Sequence, residues 1–320
     1  MTVTRRATIG GAAVLLAAPP LLGSRGAAAQ GANPPILGPA FHRFQVGALT
    51  VSVVTDGSNV RPDVTRGLVI NAPPEQVTAA MRDAGISGTA MRNPYNVTFV
   101  ETPRGLVAID VGTGGVGGDT GALHGNMRAA GLDPARVVLI VHTHFHGDHI
   151  GGLTSNDGTA IFPQAAIAVP EREWVFWNDA GEESRATEAR RPAFANVRRR
   201  FAPYAQRVTR FAPDAEVAPG IRAVATPGHS PGHTSFLVSD GAAQALIIGD
   251  AVTTPAFFMV NPAWYPSFDM DPPTAIDTRK RLLDRAATER MPVVGYHFDM
   301  PATGRVERAG TGYRLVPAGA

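Results

Sequence analysis

Apolar residues recur along this chain in strand-length bursts separated by Gly, Pro and Asp. "FHRFQVGALTVSVVTDGS" (41–58) alternates apolar and polar positions and reaches Asp56-Gly57, which reads as one or two strands with a turn. "PPEQVTAAMRDAG" (73–85) opens on proline, keeps helical spacing and stops at glycine, so it predicts a short helix. "NVTFVETPRGLVAIDVG" (96–112) predicts a hairpin turning near Pro103-Arg104-Gly105, and residues 120–134 predict a helix ending at Gly131. "RVVLIVHTH" (136–144) is a β-branched run suited to a strand buried on both faces. "AAIAVPERE" predicts another strand, residues 171–210 a charged, aromatic-bearing helical region, and 220–250 three short strands. A helix over 274–290 and a final short strand over 292–297 complete the pattern. Strands outnumber helices and come in hairpins toward both ends, with a parallel crossover predicted only in the middle. The expectation is an α+β domain of two sheets with helices packed outside.

Composition removes several classes of function. At 44% hydrophobic and 18% charged residues the chain is globular rather than disordered. There are no cysteines, which excludes thiol nucleophiles, thiolate ligands and disulfides. Lys280 is the only lysine, which argues against a Schiff-base mechanism. The first 29 residues read differently from the rest. A twin arginine (Arg5, Arg6), a mildly apolar run and Ala27-x-Ala29 form the pattern of a twin-arginine signal peptide, cleaved after Ala29. The apolar run is short and broken by Pro19 and Pro20, so no stable membrane anchor is expected. Removing this segment takes the formal charge from +2 to −1, so nothing favours nucleic acid. Residues 30–40 read as a flexible leader, and an exported, periplasmic or secreted protein is expected.

The chemistry gathers in "HTHFHGDH" (142–149), which holds four of the nine histidines and an aspartate. Buried imidazoles without partners would be destabilising, and a metal would supply the partner. Further ligand types follow other apolar runs: His229 after "RAVATPG", Asp250 after "ALIIG", His297 after "VVGY". His144 and His146 are two apart, so in an extended segment both side chains point one way and can hold one ion. Gly147 lets the chain turn, and Asp148 and His149 then reach a second ion, about 3.5–4 Å away in two-metal sites.

"THFHGDH", "TPGHSPGHT", "IIGD" and the late "GYH" occur in the order of the metallo-β-lactamase superfamily, which the chain resembles from about residue 41 onward. The ligand spacings and the tail "GTGYRLVPA" make it most similar to methyl parathion hydrolases and their lactonase-like relatives. The resemblance implies a single αβ/βα four-layer sandwich over 41–320 with the site at one edge of the two sheets. It implies that His144, His146 and His229 hold one metal, that Asp148, His149 and His297 hold the other, and that Asp250 bridges them. It places His233 as a neighbour that orients a ligand, and Asp110 as a support behind the site. His142 is expected to cap the strand end, and His42 and His124 to have no part in the site.

Five imidazoles and two carboxylates suit zinc, with manganese, cobalt or iron also compatible. Such a pair of ions makes a bridging hydroxide available near neutral pH, with Asp148 and Asp250 as the catalytic residues that orient it and relay its proton. The expected reaction is hydrolysis of an ester-type bond in a small apolar substrate: a lactone, an aryl ester or a phosphotriester. Thr253 stands where many homoserine lactonases carry tyrosine, which weakens the lactone expectation. Alternatives are a mononuclear-iron redox relative of the persulfide dioxygenases, or a β-lactam hydrolase. Trp174, Phe176, Trp177 and the aromatics of 256–269 are candidates for an apolar pocket mouth. "VRRRF" (197–201) reads as a solvated helix face, with anion docking as its other role. A homodimer is expected from the resemblance alone.

Overall fold

Two sheets account for the alternation. A computed structural model describes residues 40–319. The signal peptide and nearly all of the leader lie outside the described residues. The first sheet contains β1 (Phe41–Val46), β2 (Leu49–Arg61), β3 (Met91–Thr102), β4 (Gly105–Ile109), β5 (Asp119–Thr120), β6 (Val137–Val141), β7 (Ala166–Pro170) and β8 (Val208–Phe211). Its order is β1-β2-β3-β4-β6-β7-β8, with β5 against β2. The second contains β9 (Glu216–Ala218), β10 (Ile221–Ala225), β11 (Thr234–Asp240), β12 (Ala243–Gly249), β13 (Pro292–Gly295), β14 (Thr303–Ala309) and β15 (Gly312–Pro317), in the order β15-β14-β13-β12-β11-β10-β9. Helices α1 (Pro74–Asp83), α2 (Leu123–Ala129), α3 (Gly147–Ile150), α4 (Glu171–Asn178), α5 (Ala180–Arg185), α6 (Arg191–Phe201) and α7 (Pro272–Glu289) complete the chain. Among the described residues no helix is long and apolar enough to cross a membrane.

Strand alternation explains the layers. Val51, Val53, Val107, Ile109 and Val141 pack with Phe236, Val238, Ile247 and Val294 in the core between the sheets. Val54, Ala108, Ile140, Ile167 and Val169 point the other way, onto Met127, Phe194, Val197 and Phe201 of the helices. The interior stretches of β2, β3, β4 and β7 are thus buried on both faces, whereas "VVLIV" is buried at Val137, Ile140 and Val141 and exposes Val138. Leu282, Leu283 and Ala286 of α7 cover the second sheet's outer face. Asp271 caps α7 by accepting from the Thr274 N–H at 3.3 Å, the kind of cap worth about 1 kcal/mol. The result is the expected four-layer αβ/βα sandwich in a single domain.

Several local expectations change. Asp56-Gly57 is not a turn but a bulge inside β2, and the turn lies at Gly47-Ala48. The Asp56 carboxylate explains the bulge. It accepts from the N–H groups of Thr113, Gly121 and Leu123 and from the Thr113 hydroxyl, and so fastens the glycine-rich loop after β4. Residues 171–210 break into three helices and end in strand β8. The strand at 292 ends at Gly295 and is followed by the β14–β15 hairpin, so it is not the last. Parallel pairing is not confined to the middle of the chain: α7 also joins β12 to a parallel β13.

Candidate metal centre

Loops at one edge of the sandwich carry every candidate ligand. β6 stops at Val141, and residues 142–145 run on as buried chain outside any strand or helix. His146 keeps an extended backbone (φ −64°, ψ 153°) and starts the four-residue helix α3. The change of direction therefore occurs at His146. Gly147 is the first helical residue, and a Cβ on it would meet only the Asn196 side chain, at 3.7 Å, so its expected role as the turning residue is not realised. His229 sits in the β10–β11 loop, Asp250 follows β12 and His297 follows β13.

All seven predicted residues converge. Nε2 of His144, Nδ1 of His146 and Nε2 of His229 lie 2.9–3.2 Å from one another. Tetrahedral zinc–nitrogen bonds place neighbouring nitrogens about 3.3 Å apart, close to this spacing. Asp148, His149 and His297 form a second group. Nε2 of His297 is 3.5 Å from Asp148 Oδ2, and Nε2 of His149 is 3.8 Å from the same oxygen. Asp250 lies between the groups. Its Oδ2 is 3.4 Å from His229 Nε2 and 3.2 Å from His297 Nε2, and its Oδ1 is 3.3 Å from His149 Nε2.

The outward nitrogens show which inward atoms are bare. A neutral imidazole has one N–H and one lone pair. His149 Nδ1 is 2.8 Å from Asp110 Oδ2, His229 Nδ1 is 3.0 Å from Asp269 Oδ1, and His297 Nδ1 is 2.8 Å from the Pro94 carbonyl. His144 Nδ1 is 3.0 Å from the Thr143 hydroxyl, which itself donates to Asp110. Each of these rings uses its N–H outward and aims a lone pair at the cluster. His149 Nε2 and Asp250 Oδ1 are buried with no hydrogen-bond partner. Lone pairs crowded at such distances would repel, and orphaned buried acceptors are costly. Cations satisfy both, so the donor set fits two divalent metal ions.

Electrostatics agree with this. Burial, reinforced by neighbouring imidazoles, holds His144 and His146 well below the ordinary histidine range, so both are neutral and able to ligate. Burial lowers His149 too, but Asp250, Asp110 and Asp148 outweigh it and raise the group well above that range. The cluster thus attracts positive charge at the position of the second group.

His233 is excluded as a ligand by its own bonds. Its Nε2 accepts the Asp250 N–H at 3.0 Å, and its Nδ1 faces the carbonyl and hydroxyl of Thr226. Burial, reinforced by the neighbouring His229 ring, pushes it down to about 3, consistent with a neutral ring that fixes the Asp250 backbone. Asp110 stands behind the site as expected. It adopts a left-handed φ of 64° and collects the Thr143 N–H, the Thr143 hydroxyl and His149. Burial would raise its carboxyl, but His149 and His142 outweigh that and lower it. His142 is not a strand cap: its ring lies 3.3 Å from Asp110 and packs edge-on against Phe145 and Phe201. His42 stacks on Phe44 and His124 packs on Phe162, both outside the cluster.

Other residues at the site were not visible in the sequence. Glu173 is fully buried and accepts from the N–H groups of Phe145 and Gly232, the Ser230 hydroxyl and the Trp177 indole. One carboxylate thereby clamps the loop of His144 and His146 to the loop of His229. Arg279, from α7, pairs with Asp269 behind His229 at 2.9 Å and donates to the carbonyl of Ala251 beside Asp250. The Tyr296 hydroxyl donates to the Asp148 carbonyl, and its ring stacks on His149 at 3.9 Å. In sequence, Glu173 and Asp269 look like surface acids, and only their later burial distinguishes them.

The aromatic segments divide. Phe257, Phe258 and Met259 belong to the core, and Trp177 is buried beside His146. Phe268 meets His229 at the site, 5.6 Å between rings. In "VRRRF", Arg198 pairs with Glu183, Arg199 with Asn196, and buried Arg200 with Thr154, so that segment is structural.

Known proteins share this fold. The sequence model of the metallo-β-lactamase superfamily matches residues 90–297. The N-acyl homoserine lactonase AiiA of Bacillus thuringiensis subsp. kurstaki is 25% identical over 254 residues, 77% of this chain and 88% of that protein. Among solved structures, the dizinc quorum-quenching lactonase AidC superposes with a TM-score of 0.82 at 21% identity, covering 88% of this chain and 98% of its own. The hydrolase AbOPH superposes at 0.81 with 25% identity over the same shares. With the profile spanning most of the chain and the donor cluster in place, this chain belongs to the metallo-β-lactamase superfamily and is a metal-dependent hydrolase.

Proposed function

We propose that the protein is a dinuclear zinc hydrolase of lactones, and that it acts after twin-arginine export. The observation that carries the reading is the meeting of two donor groups at one carboxylate, Asp250. A single ion cannot use all these donors, which disfavours the mononuclear redox alternative. The nitrogen- and oxygen-rich set, without thiolate, favours zinc. Similarity to N-acyl homoserine lactonases supports the lactone as substrate.

Two cations in this cluster would lower the pKa of a bound water toward neutrality and polarise the acyl oxygen. The chain's own residues do the rest. Asp250 is buried and fixed through its N–H by His233, so it orients groups without moving. Asp148 keeps a 30% exposed side chain, so its Oδ2 can take a proton from water and pass it to the leaving alcohol. Trp177 and Phe268 flank His146 and His229 and exclude solvent from that side.

The test compares kcat/KM of the metal-loaded protein for an acyl lactone and an aryl phosphotriester. A clear preference for the lactone is expected, and preference for the phosphotriester overturns the substrate assignment. Two metals per chain are expected by elemental analysis. Intact mass of exported protein should begin after Ala29, and a retained N-terminus overturns the export reading.

A further inference from the structure

The connection between β12 and α7 leaves the metal centre and returns to it. It leaves at Ala251, directly after Asp250, and comes back at Asp269, whose Oδ1 lies 3.0 Å from His229 Nδ1. The next two N–H groups, of Met270 and Asp271, donate to the carbonyls of His229 and Gly228. One end of the connection thus adjoins the carboxylate between the donor groups, and the other supports a histidine of the first group. Arg279 reaches both ends from α7. Its Nε donates to the Ala251 carbonyl at 3.0 Å, and its Nη2 donates to Asp269 Oδ2 at 2.9 Å. Its Nη1 donates to the Trp264 carbonyl midway along, and its guanidinium lies 5.1 Å from the centroid of Phe258. The side chains of Arg279 and Asp269 are 1% and 0% exposed, so bulk water does not compete for these bonds.

Asp269 spends one oxygen on His229 and the other on Arg279, so an unbroken run of bonds joins the Ala251 carbonyl to the His229 ring. A planar guanidinium fixes the angle between its partners as well as their distance. We propose that Arg279 is a positioning residue of the metal centre: it sets His229 and Asp250 in one frame, so that both reach the ion of the first donor group. Asp250 Oδ2 stands 3.4 Å from His229 Nε2, the spacing of two donors to one ion. The second donor group lies outside this frame, because Asp110 and the Pro94 carbonyl support His149 and His297. The inference rests on the two-ion reading above and holds whichever ester is cleaved.

The test adds cobalt(II) to the metal-free protein and reads visible absorption and chelator competition. The band lost in His229→Ala marks the first position. Arg279→Lys keeps a positive charge beside Asp269, so no buried carboxylate is left unpaired, but it cannot hold carbonyl and carboxylate at a fixed angle. Its first-position affinity should fall about 10- to 100-fold and its band should shift, while the second position keeps its affinity. Asp269→Asn leaves an oxygen for His229 and should give the same selective loss. Because Arg279 acts through Asp269, the double variant should lose clearly less than the two single losses combined. Leu282→Ala, in the buried face of the same helix, is the control: it should lower the urea midpoint and leave the cobalt band unchanged. Unchanged first-position affinity in Arg279→Lys, additive losses, or the same spectral shift in Leu282→Ala overturns the proposal. Equal loss at both positions in Asp269→Asn overturns it even where Arg279→Lys fails to fold. Uptake of a single cobalt by wild type removes the two-ion reading, and a first-position loss in Arg279→Lys then still supports the frame.

Discussion

Asp250 touches both donor groups of the cluster. It faces His149, His229 and His297 with its carboxylate and His233 with its backbone. Asp250→Asn keeps the shape and removes the charge. We expect kcat to fall by about 10²–10⁴-fold, the usual scale for loss of a positioned catalytic group. Metal content should fall from two ions toward one, and an unchanged stoichiometry would remove its bridging role. His233 makes a prediction about acid. Its folded value is about 3, against about 6.5 in an unfolded chain. Between those values the unfolded chain binds a proton that the folded chain refuses. Stability therefore falls as pH drops below about 6.5, by about 1.4 kcal/mol per pH unit for this one group. Urea midpoints of the metal-free protein at pH 6.5 and 5.0 should show a shallower loss in His233→Asn. Parallel losses would mean that His233 is not the neutral ring described.

Between elements, the Glu173 clamp decides how precisely the first donor group is held. Glu173→Gln leaves one acceptor oxygen and turns an N–H₂ toward donors, so two of four bonds are lost. We expect affinity for the ion at His144, His146 and His229 to drop about 10- to 100-fold, the usual effect of mutating a ligand's support. Chelator competition measures it, and loss of folding stability without loss of affinity would mean that the clamp only stabilises the loops. The sequence showed the ligands because ligand types at strand ends are rare and local. It did not show Glu173, Asp269 or Arg279, because their role depends on contacts between loops far apart in the chain. Similarly, the bulge at Asp56-Gly57 reads as a turn because turn chemistry and bulge chemistry use the same residues. Gly147 invited the same error, since glycine beside a change of direction suggests a left-handed turn that His146 makes unnecessary. The β14–β15 hairpin has the alternation of a strand pair, but it lies beyond the last ligand, His297, and carries none itself.

For the molecule as a whole, the cations act as ligands of the folded state alone. Their removal should lower stability by about 4 kcal/mol when free metal had stood at a thousand times its Kd. Thermal melting with chelator and after zinc addition measures this, and identical melting curves would show that the cluster does not bind metal in solution. The layer architecture explains the sensitivity. Both sheets end at the cluster, so loops from both sheets meet at one donor set.

Asn96 adds a consequence for the order of assembly. From β3 it bonds to the carbonyls of Tyr296 and Phe298, 200 or more positions away in sequence, and so fixes the turn that presents His297. Contacts this distant form late, after the loops between them have closed. A nascent chain that has reached only Asp250 already holds His144, His146 and His229, yet it has no anchor for the second group. Cation capture is therefore sequential in synthesis: the first position can fill while the second does not yet exist. Under the export proposed above, the second ion would be supplied between the end of translation and transport.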